Sequence, residues 1–132
     1  MSAIGRLLSA IGYPQVPPAD AVEFTLQVDG RDVFAYDMDT RLVLVREISR
    51  ETCMIQKLAA YSTGRMLRED AILFWDERRG AAMLSQEIPA TATSHELKEF
   101  FETFADSCDW WAQCTAEVPG RQPPFTETVI RP

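Results

Sequence analysis

Residues 93–114 decide the fold of this chain, and their sequence is TSHELKEFFETFADSCDWWAQC. Apolar side chains recur there at steps of three and four, the period of a helix with one apolar face. Thr93 and Glu96 have the spacing of a capping box, which predicts where the helix begins. A helix of roughly 30 Å needs a broad apolar surface beneath it. Its predicted apolar face consists of Leu97, Phe100, Phe101, Phe104, Cys108 and Trp111, and its solvated face of Glu99, Glu102, Asp106 and Asp109.

A short amphipathic helix is predicted at the start of the chain, with Gly12 as a natural C-cap. Because a helix this short is marginal by itself, it must dock on another element. A stiff Pro17-Pro18 link follows it, so we expect the helix to line a groove while contributing little to the central core. Its apolar face consists of Ile4, Leu7, Leu8 and Ile11.

Strand patterns occupy the middle of the chain. The period of two over residues 22–28 predicts a half-buried strand, and Asp29-Gly30 predicts a tight turn into a second strand over 33–36. Residues 42–48 are apolar on both faces, which indicates the central strand of a meander. The other predicted elements are a helix over 49–62, a hairpin of strands 71–75 and 82–88, and a proline-rich tail over 116–132.

The predicted order of elements is α-β-β-β-α-β-β-α. Strands joined by tight turns are antiparallel, and helices packed against the resulting sheet place the chain in the α+β class. With 132 residues, one domain over residues 1–115 is expected, large enough to fold without disulfides.

Composition limits the classes of partner. A net charge of −7 and a pI near 4.7 argue against nucleic acid and anionic membrane surfaces, which both require clustered Lys and Arg. The apolar N-terminal stretch is too short to span a bilayer and lacks the basic start of a signal peptide. Three cysteines without a CxxC motif suit a reducing compartment. We therefore expect a cytosolic protein without membrane insertion.

No constellation for catalysis is visible in the sequence. His95 is the single histidine, and an exposed position in the first turn of a helix is the favoured interpretation for it. No HExxH, P-loop, GxGxxG or GxSxG motif occurs, and the cysteines lack the spacing of metal ligands. The chain is accordingly predicted to have no catalytic residue, metal or cofactor. An excess of apolar faces, including Trp110 beside Trp111, favours an oligomer or a bound partner chain instead.

Three segments resemble the class I type III secretion chaperones of the Tir-chaperone type. They are the strand–turn–strand unit beginning at Phe24-Thr-Leu-Gln-Val-Asp-Gly and ending at Leu42-Val-Leu-Val, the hairpin from Leu73 to Pro89, and the closing helix with its Cys108-Asp-Trp-Trp segment. The resemblance covers residues 1–114. It implies a non-enzymatic homodimer in the bacterial cytosol that binds the N-terminal region of a secreted effector in extended form and keeps it competent for export.

The resemblance also implies roles for particular residues. The predicted effector-binding residues are Ile4, Leu7, Leu8, Ile11, Phe24, Leu26, Phe34, Leu42 and Leu44. The predicted dimer contacts are Ile55, Leu58, Tyr61, Leu73 and Trp75. A contact with the secretion ATPase is left open. Two other classes also stay open: an immunity or antitoxin-like protein that caps a folded partner, and a small enzyme or ligand-binding α+β domain.

Overall fold

A computed structural model of the protein describes residues 2–50 and 70–116. The predicted middle helix and the proline-rich tail lie outside these residues, as do Ile55, Leu58 and Tyr61. Within the described ranges, the order of elements agrees with the predicted α+β fold. The elements are α1 (Ala3–Ile11), β1 (Glu23–Val28), β2 (Arg31–Asp37), β3 (Arg41–Ser49), β4 (Ile72–Asp76), β5 (Ala81–Pro89) and α2 (Ser94–Ala116).

The five strands form one antiparallel sheet in the order β1-β2-β3-β5-β4. The prediction that residues 42–48 form the central strand is confirmed, because β3 pairs with β2 on one side and β5 on the other. In the described sheet, β1 and β4 are the edge strands. The tight turn between β1 and β2 is also confirmed: Asp29 and Gly30 both have positive φ, 52° and 77°, as a two-residue hairpin turn requires.

Both described helices begin with a side-chain cap. The hydroxyl of Ser2 accepts a hydrogen bond from the Gly5 amide at 3.0 Å ahead of α1. Ahead of α2, the Glu96 carboxylate accepts from the Thr93 amide at 2.8 Å, and the Thr93 hydroxyl accepts from the Glu96 amide at 3.2 Å. This reciprocal pair is the capping box that the sequence predicts. Gly12 ends α1 in the left-handed conformation, as expected.

The core lies between one face of the sheet and the two helices. The predicted apolar face of α2 is confirmed, since Leu97, Phe104, Cys108 and Trp111 are at most 2% exposed. We call the helix-covered side of the sheet the inner face and the other side the outer face. The inner face carries Leu26 of β1, Val33 and Ala35 of β2, Leu42, Leu44 and Ile48 of β3, and Leu84 and Ile88 of β5.

The expectation that the first helix contributes little to the core is wrong. Ile4 and Leu7 are fully buried and Leu8 is 1% exposed, because α1 packs against both α2 and β2. The guanidinium of Arg6 holds the helix in place by donating to the carbonyls of Ala90 and Ala92 in the segment that leads into α2. The short helix is therefore stabilised by tertiary packing rather than by its own propensity.

Two smaller expectations also change. Val22 is 68% exposed and precedes β1, so the alternation of the first strand begins one residue later than its apolar pattern predicts. The fourth strand runs from Ile72 to Asp76, so it begins and ends one residue later than the predicted range of 71–75.

Candidate partner-binding surface

The nine predicted effector-binding residues divide into two groups. Six of them fill the core and are at most 1% exposed: Ile4, Leu7, Leu8, Leu26, Leu42 and Leu44. Ile11, Phe24 and Phe34 are only partly buried. Effector contact by these residues stays a prediction, and in this conformation only the second group has side-chain surface to offer a partner.

The outer face of the sheet carries a band of partly exposed apolar side chains. They are Phe34 and Tyr36 on β2 and Val43 and Val45 on β3. The guanidinium of Arg79, from the β4–β5 turn, lies over the Phe34 ring, 4.4 Å from its centroid. Beside this contact is a cavity of about 410 Å³ lined in part by Phe24, Phe34 and Tyr36. An aromatic-walled recess beside an edge strand suits a side chain of an extended peptide.

The free edge of β1 is partly capped from within the chain. The amide of Gln27 donates to the hydroxyl of Tyr13 at 3.0 Å, so it faces away from β2. Because amides alternate between the two sides of a strand, the amide of Thr25 lies on the same free edge. The Tyr13 ring also meets Phe24 edge-on, with centroids 6.2 Å apart.

The other edge strand presents apolar side chains to solvent. Ile72 and Phe74 of β4 are 50% and 40% exposed. The predicted dimer contacts Leu73 and Trp75 lie on the inner face and are partly buried against the core. The resemblance implies that Leu73 and Trp75 are dimer contacts, and this role stays a prediction.

The described residues hold no cluster of three His, Cys, Asp or Glu side chains that could bind a metal. The His95 side chain is 81% exposed and lies 3.5 Å from the Glu99 carboxylate. This agrees with the interpretation of His95 as an exposed residue in the first turn of the helix. Cys108 is buried, and its burial raises the pKa of the thiol to about 11. A thiol with so high a pKa is a poor nucleophile at neutral pH. Neither described helix is long and apolar enough to cross a membrane.

Comparison of the structure with solved proteins finds a common architecture. A chain of the HopA1–SchA chaperone–effector complex matches with a TM-score of 0.68 and 16% identity, over 83% of this chain and 90% of that one. A chain of the ExsC–ExsE complex matches with a TM-score of 0.65 and 19% identity, over 83% and 88%. The Yersinia pestis type III secretion chaperone SycH, solved with a fragment of YscM2, matches with a TM-score of 0.59 and 11% identity, over 81% and 94%.

The chain has the fold of the type III secretion chaperones. This confirms the fold that the resemblance implies, over nearly the full length of the matched chains. No family model matches the sequence, and no curated protein is similar to it in sequence. At these low identities the likeness establishes the shared architecture, and the effectors bound in those complexes are partners of those proteins.

Proposed function

We propose that the protein is a non-enzymatic chaperone of the bacterial cytosol that binds the N-terminal segment of a type III secreted effector. It holds this segment extended and competent for export. The observation that carries the proposal is the fold shared with SchA, a protein solved in a chaperone–effector complex. The charge of −7 is compatible with a protein partner and argues against a nucleic-acid partner.

The surface has the two features that such a task needs. Ordering an extended chain costs roughly 1–2 kcal/mol of backbone entropy per residue, which requires about 40–80 Å² of apolar burial per residue at about 25 cal/mol per Å². The outer-face band around Phe34 and Val45 supplies apolar surface without demanding a particular partner sequence. The free edge of β1 supplies main-chain hydrogen bonds, which do not depend on the partner's side chains.

The proposal includes a homodimer. One small domain offers limited apolar surface, and a second copy doubles it. Ile72 and Phe74 support the placement of β4 at the contact, because exposed apolar side chains on an edge strand favour association. The predicted contacts Ile55, Leu58 and Tyr61, and the inward pair Leu73 and Trp75, stay predictions. A contact with the secretion ATPase is a further proposed interaction.

The deciding experiment begins with purification of the tagged protein from its native bacterium. The captured partner is then produced together with the chaperone, and the complex is treated with protease. We expect a protected fragment of several tens of residues near the partner's N-terminus, with slow amide exchange along an extended stretch. Native mass spectrometry should give two chaperone chains to one effector chain.

Two results would oppose the proposal. Protection of a compactly folded domain, with loss of that domain's activity, would favour the immunity-protein class. Turnover of a small molecule by the purified protein would favour the enzyme class. As a functional control, deletion of the chaperone gene should abolish export of the captured partner and leave the export of other effectors unchanged.

A further inference from the structure

A second cavity lies between α2 and the turn that joins β1 to β2. Its volume is about 390 Å³. Most of its wall is apolar, and its mouth carries the charged residues Asp29, Arg31 and Asp109. The side chains that matter for its chemistry are Val28, Val33, Arg46, Phe101, Phe104 and Cys108. The cavity is distinct from the recess beside Phe34 on the outer face.

Arg46 is the unusual member of this wall. It occupies the inner-face row of β3 between Leu44 and Ile48, and it is 8% exposed. An arginine keeps its charge at any physiological pH, and a buried charge costs free energy unless it is paired and fully hydrogen-bonded.

The residues around Arg46 do not fully pair its charge or its hydrogen-bond donors. Its Nη1 is 3.8 Å from Oδ1 of Asp109, beyond hydrogen-bond distance, and the Asp109 side chain is 65% exposed. The Cys108 thiol lies close enough to the guanidinium for the two to interact electrostatically, but a protonated thiol brings no negative charge. Within the described part of the chain, the Nε of Arg46 is buried and has no hydrogen-bond partner. One donor of a buried cation is therefore left without an acceptor.

We propose that this cavity binds a carboxylate side chain, a Glu or Asp next to an aliphatic residue of the bound polypeptide, with Arg46 as its anchor. A carboxylate supplies the negative charge that the Cys108 thiol and the distant Asp109 do not, and its two oxygens match the planar fork of a guanidinium. Phe101, Phe104 and Val33 supply the apolar wall for the aliphatic neighbour. The source of the carboxylate, a bound effector segment, rests on the proposed function.

Other ligand classes fit the site less well. The guanidinium repels a metal cation. A phosphate would bring about two negative charges close to Asp29 and Asp109, whereas a carboxylate brings one. The overall charge of −7 does not prevent binding, because exposed charges beyond about 8 Å are largely screened at physiological salt.

The test uses sodium 4-methylpentanoate, which joins a carboxylate to a leucine-like chain, and its neutral amide as the matched control. The readout is the ¹H–¹⁵N resonance of the arginine Nε–H groups in the full-length protein. Arg46→Lys identifies the Arg46 resonance by removing it. We expect a saturable shift of this resonance with the carboxylate and none with the amide.

Two variants then separate geometry from charge. Arg46→Lys keeps the charge but loses the fork, and should weaken carboxylate binding, followed on the neighbouring backbone amides, by roughly tenfold. Arg41→Lys, at the start of β3 and outside the wall of this cavity, should leave the dissociation constant unchanged. Equal responses to carboxylate and amide would overturn the proposal, as would equal shifts of all arginine resonances, which would show only a salt effect. If Arg46→Lys fails to fold, the Arg46 resonance is assigned instead by through-bond correlation to its own backbone amide, and the wild-type comparison stays decisive.

Failure of this inference is distinguishable from failure of the proposed function. If an effector segment binds and Arg46→Lys does not change its affinity, the carboxylate site is wrong and the chaperone function stands. If 4-methylpentanoate binds at Arg46 but no extended segment is captured from the native cell, the site stands and the chaperone function is wrong.

Discussion

The hydroxyl of Tyr13 accepts a hydrogen bond from the backbone amide of Gln27 at 3.0 Å. Tyr13 follows directly after the C-cap of α1, whereas Gln27 lies on the edge strand β1. The side chain thus occupies a position that the carbonyl of an added strand would take. The contact joins the end of the first helix to the edge at which we propose that an effector segment adds.

Removing the Tyr13 hydroxyl should strengthen the binding of a partner strand at the edge of β1. In Tyr13→Phe the ring keeps its contact with Phe24, but the Gln27 amide is left to water, so a partner carbonyl no longer displaces a protein acceptor. We expect the affinity for the effector segment to rise a few-fold, since one neutral hydrogen bond contributes about 1 kcal/mol. Calorimetric titration measures the affinity, and Thr103→Val, which removes a hydroxyl from the exposed side of α2, is the control. Unchanged affinity in Tyr13→Phe would move strand addition away from β1.

The first helix should be essential for stability. Leu7 is fully buried, so Leu7→Ala should lower the free energy of unfolding by about 2–5 kcal/mol, the usual cost of such a cavity. Ile11 lies on the same face of α1 but is only partly buried, and Ile11→Ala should cost clearly less. Urea denaturation of both variants makes the comparison. If both variants lost little stability, and equally little, α1 would be peripheral to the core, as its short length and its proline link predict.

The sequence predicted most of the fold because periodicity reports burial directly when an element is long. In α2 the helical period identifies Leu97, Phe104 and Trp111 correctly as core residues. In β4 the period of two separates Leu73 from Phe74 but does not say which of them faces the helices. That choice depends on the neighbouring strands, which place Leu73 opposite the buried Leu84.

The candidate sites were harder to predict, since they depend on contacts between distant residues. Arg46 falls in the same alternation as Leu42 and Leu44, but the sequence analysis treated residues 42–48 as apolar on both faces and did not single it out. Because arginine is rarely buried, a sequence pattern alone gives little reason to expect Arg46 in the core. Tyr13 lies in a loop and gives no periodic signal. Only the folded chain brings its hydroxyl to the Gln27 amide.

The exposed residues Ile72 and Phe74 on β4 should control dimerisation. In Phe74→Glu a carboxylate would be buried at the proposed dimer contact without a partner, which is costly. We expect the variant to elute and scatter light as a monomer with an intact circular dichroism spectrum. Met38→Glu is the matched control, because Met38 is also about half exposed but lies in the β2–β3 turn. A dimer that persists in Phe74→Glu would place the interface elsewhere.

The Cys108 thiol should make stability depend on pH in the alkaline range. Burial raises its pKa from 9.0 to about 11, so the folded state keeps its proton where the unfolded state has lost it. The contribution is fully present below about pH 9, and it is lost as the pH rises towards 11. The free energy of unfolding should fall by on the order of 2 kcal/mol across this window, since one pKa unit corresponds to about 1.4 kcal/mol.

Cys108→Ala separates this thiol from the other groups that titrate at high pH. The variant keeps Cys53 and Cys114, so subtracting its pH profile of unfolding from that of the wild type leaves the contribution of residue 108. The variant should be less stable at pH 8 because it loses buried contacts, and the difference should shrink as the pH approaches 11. A difference that stays constant across the window would show that the thiol titrates at the same pH in the folded and unfolded states, contrary to the burial of Cys108 on the sheet-facing side of α2, beside Arg46.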